Sequence, residues 1–210
     1  MREVPRILVT GFGPFPGAPQ NPTQALVEHL RADPPAFEGL GAFHAECLDV
    51  DYEAIAPRLS AIGREFAPDI AIHFGLAASC SGFRLERVAR NRHAQAQPDN
   101  RGALPASGAI CAGPETLSSR LPLDAIAAAL GNAGLPVEWS DDAGSYLCNT
   151  VMTLSLAHAC ECFAPLMSGF VHVPLPGAGP EEDRMAFDDL AVGTTLIVET
   201  CAREWLACAK

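Results

Sequence analysis

Residues 6–22 of the chain read RILVTGFGPFPGAPQNP, and they combine three signals of local structure. The short apolar run at residues 6–10 predicts a buried strand. The glycines and prolines of residues 11–17 predict a loop, because they interrupt both helix and strand. Asn21 and Pro22 then match a helix cap followed by proline at the first helical position. These residues therefore predict a strand, a loop and a helix in succession.

The same alternation continues along the chain. Further strands are predicted at residues 42–48, 69–75, 83–91, 137–140 and 169–173. Helices are predicted from 22 to about 31, 54–66 with Pro57 as an alternative start, 122 to 131 or 134, 148–162, and from 188 onward. This order predicts one α/β domain over residues 1–210, with helices on both faces of a mostly parallel sheet. Ligands bind at the carboxyl ends of such strands, so we expect the loops after Thr10, Gly75, Ser140 and Val173 along one edge.

The composition and charge of the chain disfavour several classes of function. The net charge of −11 disfavours binding to the phosphates of nucleic acids. No run approaches the ~20 apolar residues that a membrane helix needs, so no membrane association is expected. The first nine residues lack the long apolar region of a secretory leader. We therefore expect a cytoplasmic protein whose eight cysteines are mostly reduced.

Two residues stand out as candidates for catalysis. Cys148 follows a turn and is predicted to begin a helix, where the helix dipole and free N–H groups favour a thiolate. A nucleophilic thiol needs a base, and His172 lies near the end of a strand just before a loop. Glu86 is a candidate acid to orient that base, although an exposed strand face is the simpler explanation for it. His73 also ends a strand, but its side chain could equally point into the core.

Other patterns indicate no metal and no cofactor. The residues HACEC at 158–162 do not predict a metal site, since positions two apart on a helix do not converge. The glycine spacing of residues 11–17 fits neither a Walker loop nor a dinucleotide fingerprint. Phe12 and Phe15 in that loop either line a pocket or fold back onto the core.

Four segments together resemble one known family. They are LVTGFGPF at 8–15 with NPT at 21–23; residues 68–75 with LERVARN at 85–91 and PDN at 98–100; SDDAGSYLCNT at 140–150; and GFVHVP at 169–174. In order and spacing they resemble the pyroglutamyl peptidase I family of cytoplasmic cysteine exopeptidases, which remove an N-terminal pyroglutamyl residue. The resemblance implies a single-domain, three-layer α/β/α sandwich around a twisted, mixed and mostly parallel sheet.

The resemblance also implies roles for particular residues. Cys148 would be the nucleophile, His172 the base and Glu86 the group that orients His172. The residues implied to contact the pyroglutamyl ring are Phe12, Phe15, Leu76, Tyr146 and Leu147. Neither a metal nor a cofactor is implied, and the partners would be peptides that begin with pyroglutamate. Family members are monomers or tetramers, so a homo-oligomer is possible.

The sequence departs from the family pattern near residue 96. Many bacterial members have an arginine where this chain has Ala96, and either Arg92 or Arg101 is close enough in sequence to replace it. A lactam-binding protein with weak or no catalysis is therefore one alternative function. A nucleoside phosphorylase-like transferase on a related fold is another, although no phosphate-binding cluster supports it.

Overall fold

A computed structural model of the protein describes residues 2–94, 96–177 and 185–208. Part of the loop expected after Val173, at residues 178–184, lies outside them. The strands are β1 (Arg6–Phe12), β2 (Ala42–Leu48), β3 (Ile70–Leu76), β4 (Phe83–Glu86), β5 (Val88–Arg90), β6 (Thr116–Ser118), β7 (Val137–Ser140) and β8 (Met167–Val173). The helices are α1 (Pro22–Ala32), α2 (Tyr52–Glu65), α3 (Leu123–Asn132), α4 (Leu147–Leu156) and α5 (Phe187–Cys208). No helix among the described residues is long and apolar enough to cross a membrane.

Six strands form a central sheet in the order β2-β1-β3-β8-β4-β7. All neighbouring strands in it are parallel except β4 and β8, which are antiparallel. The predicted mixed, mostly parallel sheet is therefore confirmed. The extended segment predicted at residues 83–91 divides between two sheets, because β5 leaves the central sheet and pairs with β6.

Helices cover both faces of the sheet and produce two hydrophobic clusters. Ile7 and Val9 of β1 pack with α1, α3 and α5, whereas Leu8 and Phe12 pack with α2 and α4. Successive side chains of a strand point to opposite faces, and here both faces are buried. This double burial explains why the strand at residues 6–10 is a continuous apolar run.

The start of α1 confirms the predicted cap. The side chain of Asn21 accepts a hydrogen bond from the N–H of Thr23 at 3.1 Å, and Pro22 is the first helical residue. A side chain at Gly11 would place its Cβ only 2.4 Å from the carbonyl oxygen of Thr23. Glycine at this position therefore lets the loop after β1 pass directly over the start of α1.

The predicted start of α2 is wrong. The helix begins at Tyr52 rather than Ala54 or Pro57, because Asp51 caps it. The Asp51 carboxylate accepts hydrogen bonds from the N–H groups of Glu53 and Ala54, at 2.9 and 3.3 Å. Pro57 lies inside the helix, in its second turn. The capping side chain, and not the proline, sets the boundary.

The predicted end of α4 is also wrong. The helix stops at Leu156 instead of Cys162, and His158 has a positive φ of 52° that no helix accommodates. The guanidinium of Arg120 donates a hydrogen bond to the carbonyl of Leu156 at 2.8 Å and another to that of Pro165 at 3.2 Å. The helix end also closes locally, since the N–H of Ala159 donates to the carbonyl of Leu154 at 3.0 Å across the left-handed His158.

The expected position of the loop after Ser140 needs a correction. In β4, Glu86 is aligned both with Ser140 of β7 and, antiparallel, with Phe170 of β8. Strand β7 therefore runs opposite to β8. Its carboxyl end, at Ser140, lies at the opposite end of the strands from Val173. The alternation of strands and helices carries no information about this reversal. Residues 141–146 then return to the first edge, where α4 begins.

Candidate active site

A cavity of about 440 Å³ lies beyond the carboxyl ends of β1, β3 and β8. It contains seven of the eight residues that the sequence singled out. They are Phe12, Phe15, Leu76, Tyr146, Leu147, Cys148 and His172. The eighth, Glu86, lies behind His172 and is fully buried. The fold therefore brings together residues from β1, β3, β4, β8 and α4.

Strands β4 and β8 hold Glu86 and His172 together. Arg84 lies opposite His172 and Glu86 opposite Phe170, which makes Glu86 and His172 diagonal neighbours on one face of the antiparallel pair. The Nδ1 atom of His172 lies 2.8 Å from Oε1 of Glu86. The other carboxylate oxygen of Glu86 has no hydrogen-bond partner among the described residues. The carboxylate is thus directed at the imidazole.

Cys148 is the second residue of α4 and is half-buried at the cavity wall. The first N–H groups of a helix have no partner within it, and this first turn contains no acidic side chain. A Cβ on Gly75 of β3 would lie only 2.8 Å from the Cys148 sulfur. The missing side chain at Gly75 therefore provides the space that the thiol occupies.

Cys148 and Glu86 together set the protonation of His172. Burial alone lowers the pKa of His172. Cys148 raises it through its charge and a hydrogen bond, and Glu86 raises it through a hydrogen bond and its charge. Together they outweigh burial, and the pKa of His172 rises to about 9. The imidazole, which lies between Cys148 and Glu86, is consequently protonated at neutral pH.

Aromatic rings form part of the cavity wall. Phe12 is buried, and Phe15 packs against Tyr146 with 5.8 Å between ring centroids. Burial, together with the charges of Asp99 and Cys148, raises the pKa of Tyr146. Its hydroxyl therefore stays protonated and donates to the carbonyl of Pro98 at 3.1 Å. The two alternatives for the phenylalanines both hold for Phe12, which packs in the core and lines the cavity.

Other histidines are not placed as the base. His73 is fully buried, its Nδ1 lies 2.7 Å from the hydroxyl of Thr10, and burial lowers its pKa to about 3. The sequence predicts His158 within a helix, but it lies in a turn beside Arg120. Within the described ranges, no group of three or more His, Cys, Asp or Glu side chains is arranged to hold a metal ion.

The residues near Ala96 lie in three different places. Arg101 is tied to the α2 cap, with its Nε 2.7 Å from an Asp51 oxygen, and does not line the cavity. Arg92 is exposed and lines a neighbouring cavity instead. Among the described residues of this segment, Gln97 lines the 440 Å³ cavity.

Three residues near Cys148 and His172 are not among those predicted from the sequence. Phe170 lies under His172, with 4.8 Å between ring centroids, and strand periodicity could have found it, since it is two residues earlier in β8. The sequence indicates Gly75 only as the end of a strand. Asn149 donates to and accepts from the backbone of Arg90, at 2.7 and 2.9 Å, and no local signal reveals that pairing.

Comparison with known proteins gives a consistent result. The sequence model of the family described as pyroglutamyl peptidase matches residues 5–201. The pyrrolidone-carboxylate peptidase of Pyrococcus furiosus is 39% identical over 170 residues, which cover 80% of each chain. That of Clavibacter michiganensis is 34% identical over 199 residues, covering 93% of this chain and 92% of the relative.

Solved structures agree with the sequence comparisons. A mutant of the pyrrolidone carboxyl peptidase from Pyrococcus furiosus has a TM-score of 0.84 at 34% identity, over 95% of this chain and 99% of that one. The pyrrolidone carboxyl peptidase of Thermus thermophilus has a TM-score of 0.78 at 34% identity, over 92% of this chain and 99% of that one.

Proposed function

The chain belongs to the pyroglutamyl peptidase family and is a cysteine exopeptidase that hydrolyses the amide bond after an N-terminal pyroglutamyl residue, and we propose that Cys148, His172 and Glu86 perform this reaction. The family match favours neither a binding-only protein nor a nucleoside phosphorylase-like transferase. The match over residues 5–201 supports a single peptidase domain.

One observation carries the assignment of roles. Glu86 is hydrogen-bonded to His172 in the buried core, and His172 interacts in turn with Cys148 at the wall of the 440 Å³ cavity. A carboxylate that orients an imidazole, which in turn contacts a thiol, is the arrangement that nucleophilic catalysis requires.

The first half of the reaction forms a thioester. The Cys148 thiolate attacks the pyroglutamyl carbonyl carbon, and the amide C–N bond breaks. His172, protonated at neutral pH, gives its proton to the leaving amine. The negative oxygen that forms during the attack needs donors. The N–H groups of Leu147 and Cys148, which have no partner within α4, would supply them.

The second half releases pyroglutamate. His172 is now neutral and takes a proton from water, whose oxygen attacks the thioester carbon. The C–S bond breaks and Cys148 leaves as a thiolate. Glu86 keeps the imidazole oriented in both halves and stabilises its charged form. With water as the second substrate, these steps balance in atoms and charge.

The cavity suits a flat, uncharged lactam. Phe12 and Phe15 offer apolar surfaces to the faces of the ring, and Leu76 offers backbone polar groups to its N–H and C=O edge. Tyr146 and Leu147 complete the wall. An open glutamyl residue or a proline would leave some of these polar groups without a partner, which strongly disfavours binding.

The test is release of a fluorescent amine from a pyroglutamyl amide, with reductant present. We expect hydrolysis by the wild type, loss of detectable release in Cys148→Ser, and normal release in the control Cys162→Ser, whose thiol is exposed and remote from the cavity. Hydrolysis that survives in a folded Cys148→Ser protein would refute the assignment of the nucleophile.

Location and partners follow from the same chemistry. All eight cysteines lie within the described residues and are unpaired, which supports action in the reducing cytoplasm. The net charge of −11 supports peptides rather than nucleic acids as substrates.

A further inference from the structure

A second cavity, of about 350 Å³, adjoins the active-site cavity. It is lined by Arg90, Arg92, Ala94, Asp142, Gly144 and Ser145. Gly144 and Ser145 also line the active-site cavity, so the two spaces share a wall just before the helix that carries Cys148. The residues that follow a pyroglutamyl ring bound in the first cavity would therefore lie close to the second.

The segment that carries the two arginines is fixed relative to the nucleophile. The side chain of Asn149, the residue after Cys148, accepts from the N–H of Arg90 at 2.9 Å and donates to its carbonyl at 2.7 Å. Asn91 in turn donates to the carbonyls of Cys111 and Pro114, at 2.9 and 3.1 Å. These bonds hold the backbone between the arginines at a constant position beside the start of α4.

The second cavity has an excess of positive charge. Asp142 is the acidic residue in its lining, and one of its oxygens lies 3.8 Å from Arg90 Nε. The carboxylate of neighbouring Asp141 is paired with Arg87 outside this lining. Arg92 is exposed, and within the described ranges no carboxylate forms an ion pair with it. One guanidinium is thus available to an anion in a protein whose net charge is −11.

We propose that this second cavity binds the part of the substrate that follows the scissile bond, and that Arg92, with Arg90, makes the enzyme prefer a carboxylate there. The inference rests on the proposed function. The carboxylate belongs either to an acidic side chain at the residue after pyroglutamate or to the terminus of a short peptide, and both present the same group to a guanidinium.

The experiment compares three substrates. Pyroglutamyl-alaninamide is neutral, pyroglutamyl-glutamic acid α-amide carries a side-chain carboxylate, and the dipeptide pyroglutamyl-alanine carries a terminal one. The quantity measured is the ratio of kcat/KM for each charged substrate to that for the neutral one. We expect Arg92→Glu to lower at least one ratio by about fivefold or more, because attraction becomes repulsion. The same ratio should approach one in the wild type at ~1 M salt, where charges are screened within ~3 Å.

The matched control is Arg203→Glu. Arg203 is exposed on α5, which covers the opposite face of the sheet, so this variant changes the net charge equally without touching either cavity. Its ratios should equal those of the wild type. A lowered ratio for the glutamic acid substrate identifies the side-chain carboxylate as the group bound, and one for the dipeptide identifies the terminus.

Two results would overturn the inference. One is an unchanged pair of ratios in Arg92→Glu, and the other is an equal fall in Arg203→Glu, which would reflect net charge alone. Hydrolysis of the neutral pyroglutamyl-alaninamide by the wild type separates these failures from failure of the proposed function. If the wild type cleaves it and the ratios do not move, the preference for a carboxylate is wrong while the peptidase assignment stands.

Discussion

Gly75 leaves space for the Cys148 thiol because it has no side chain. An added Cβ would lie 2.8 Å from the Cys148 sulfur and 2.7 Å from the ring of Phe170. Both neighbours are held by packed elements, so neither can move away freely. The position of the thiol therefore depends on a residue that makes no bond to it.

We predict that Gly75→Ala lowers kcat/KM by at least about 10²-fold, because a shift of ~1 Å in a reacting group is enough for such a loss. The measurement is hydrolysis of a pyroglutamyl amide, with urea unfolding to verify the fold. The matched control is Gly131→Ala in α3, where an added Cβ meets nothing within 4 Å. That variant should keep full activity. Wild-type activity in Gly75→Ala would show that the thiol has freedom to move.

Glu86 is predicted to act through the proton of His172. The pKa of His172, lowered by burial but raised more strongly by Cys148 and Glu86, is about 9, so kcat/KM should decline as pH rises through that value. In Glu86→Gln the charge is lost, the pKa of His172 falls, and the decline should begin at a lower pH. We also expect kcat/KM to fall by about 10²–10⁴-fold at its optimum.

A full pH profile of kcat/KM for both proteins checks this prediction. A residue with only a structural role would lower activity equally at every pH. A Glu86→Gln profile parallel to that of the wild type would therefore refute the positioning role, even if the activity were low.

Helix α2 links a local cap to the wall of the active site. Asp51 caps the helix, and the next residue, Tyr52, packs edge-on against Tyr146 with 5.9 Å between ring centroids. The N–H of Tyr52 also donates to Asp99 at 3.1 Å, which attaches the helix to the segment after Gln97. The first turn of α2 thus supports the aromatic side of the cavity.

We predict that Asp51→Ala lowers the free energy of unfolding by about 1–2 kcal/mol, since it removes a buried helix cap. Urea unfolding measures the loss. Asp51→Asn retains an oxygen that can cap the helix and should recover most of the stability, although it weakens the ion pair with Arg101. Equal losses in both variants would assign the effect to the ion pair instead of the cap.

Ion pairs also connect the central sheet to its helices. Glu46 of β2 lies 2.9 Å from Arg58 of α2 and 3.7 Å from Arg31 of α1, and it pairs with His44 at 3.0 Å. The hydrogen bond to His44 lowers the pKa of Glu46, whereas burial raises it. A hydrogen bond from Arg58 and its positive charge lower this pKa further, to about 2. One carboxylate thus connects helices on both faces of the sheet.

This lowered pKa predicts how stability depends on pH. A carboxyl group whose pKa is lower in the folded state stabilises the fold above its unfolded pKa of 4.5 and loses that effect as pH falls toward 2. We expect Glu46→Gln to lower the free energy of unfolding by about 1–2 kcal/mol at pH ~6, and the difference from the wild type to shrink as the solution is acidified.

Urea unfolding at a series of pH values tests this expectation. Glu65→Gln is the control, because Glu65 also lies near Arg58 but is exposed and 3.9 Å away. Its removal should change stability by no more than a few tenths of a kcal/mol. A constant difference between the wild type and Glu46→Gln down to pH ~2 would exclude the carboxylate as its source.

The sequence by itself determined the features that depend on neighbouring residues. The apolar runs at residues 6–10 and 69–75 predict buried strands because burial on both faces needs no polar alternation. The cap at Asn21 and the placement of Cys148 at the start of a helix are likewise local, since they follow from a few consecutive side chains. The resemblance of four segments to one family added the choice of Glu86.

Only the tertiary structure decided which distant groups meet. Glu86 and His172 are 86 residues apart, and their contact depends on β4 lying antiparallel to β8, a direction that no local pattern encodes. The carbonyl of Leu156, at the end of α4, likewise finds its partner in Arg120, which comes from another segment. The physical reason is common to both cases. Local propensity acts between residues a few positions apart, whereas strand direction and buried pairing are set by whichever distant surface removes an element from water.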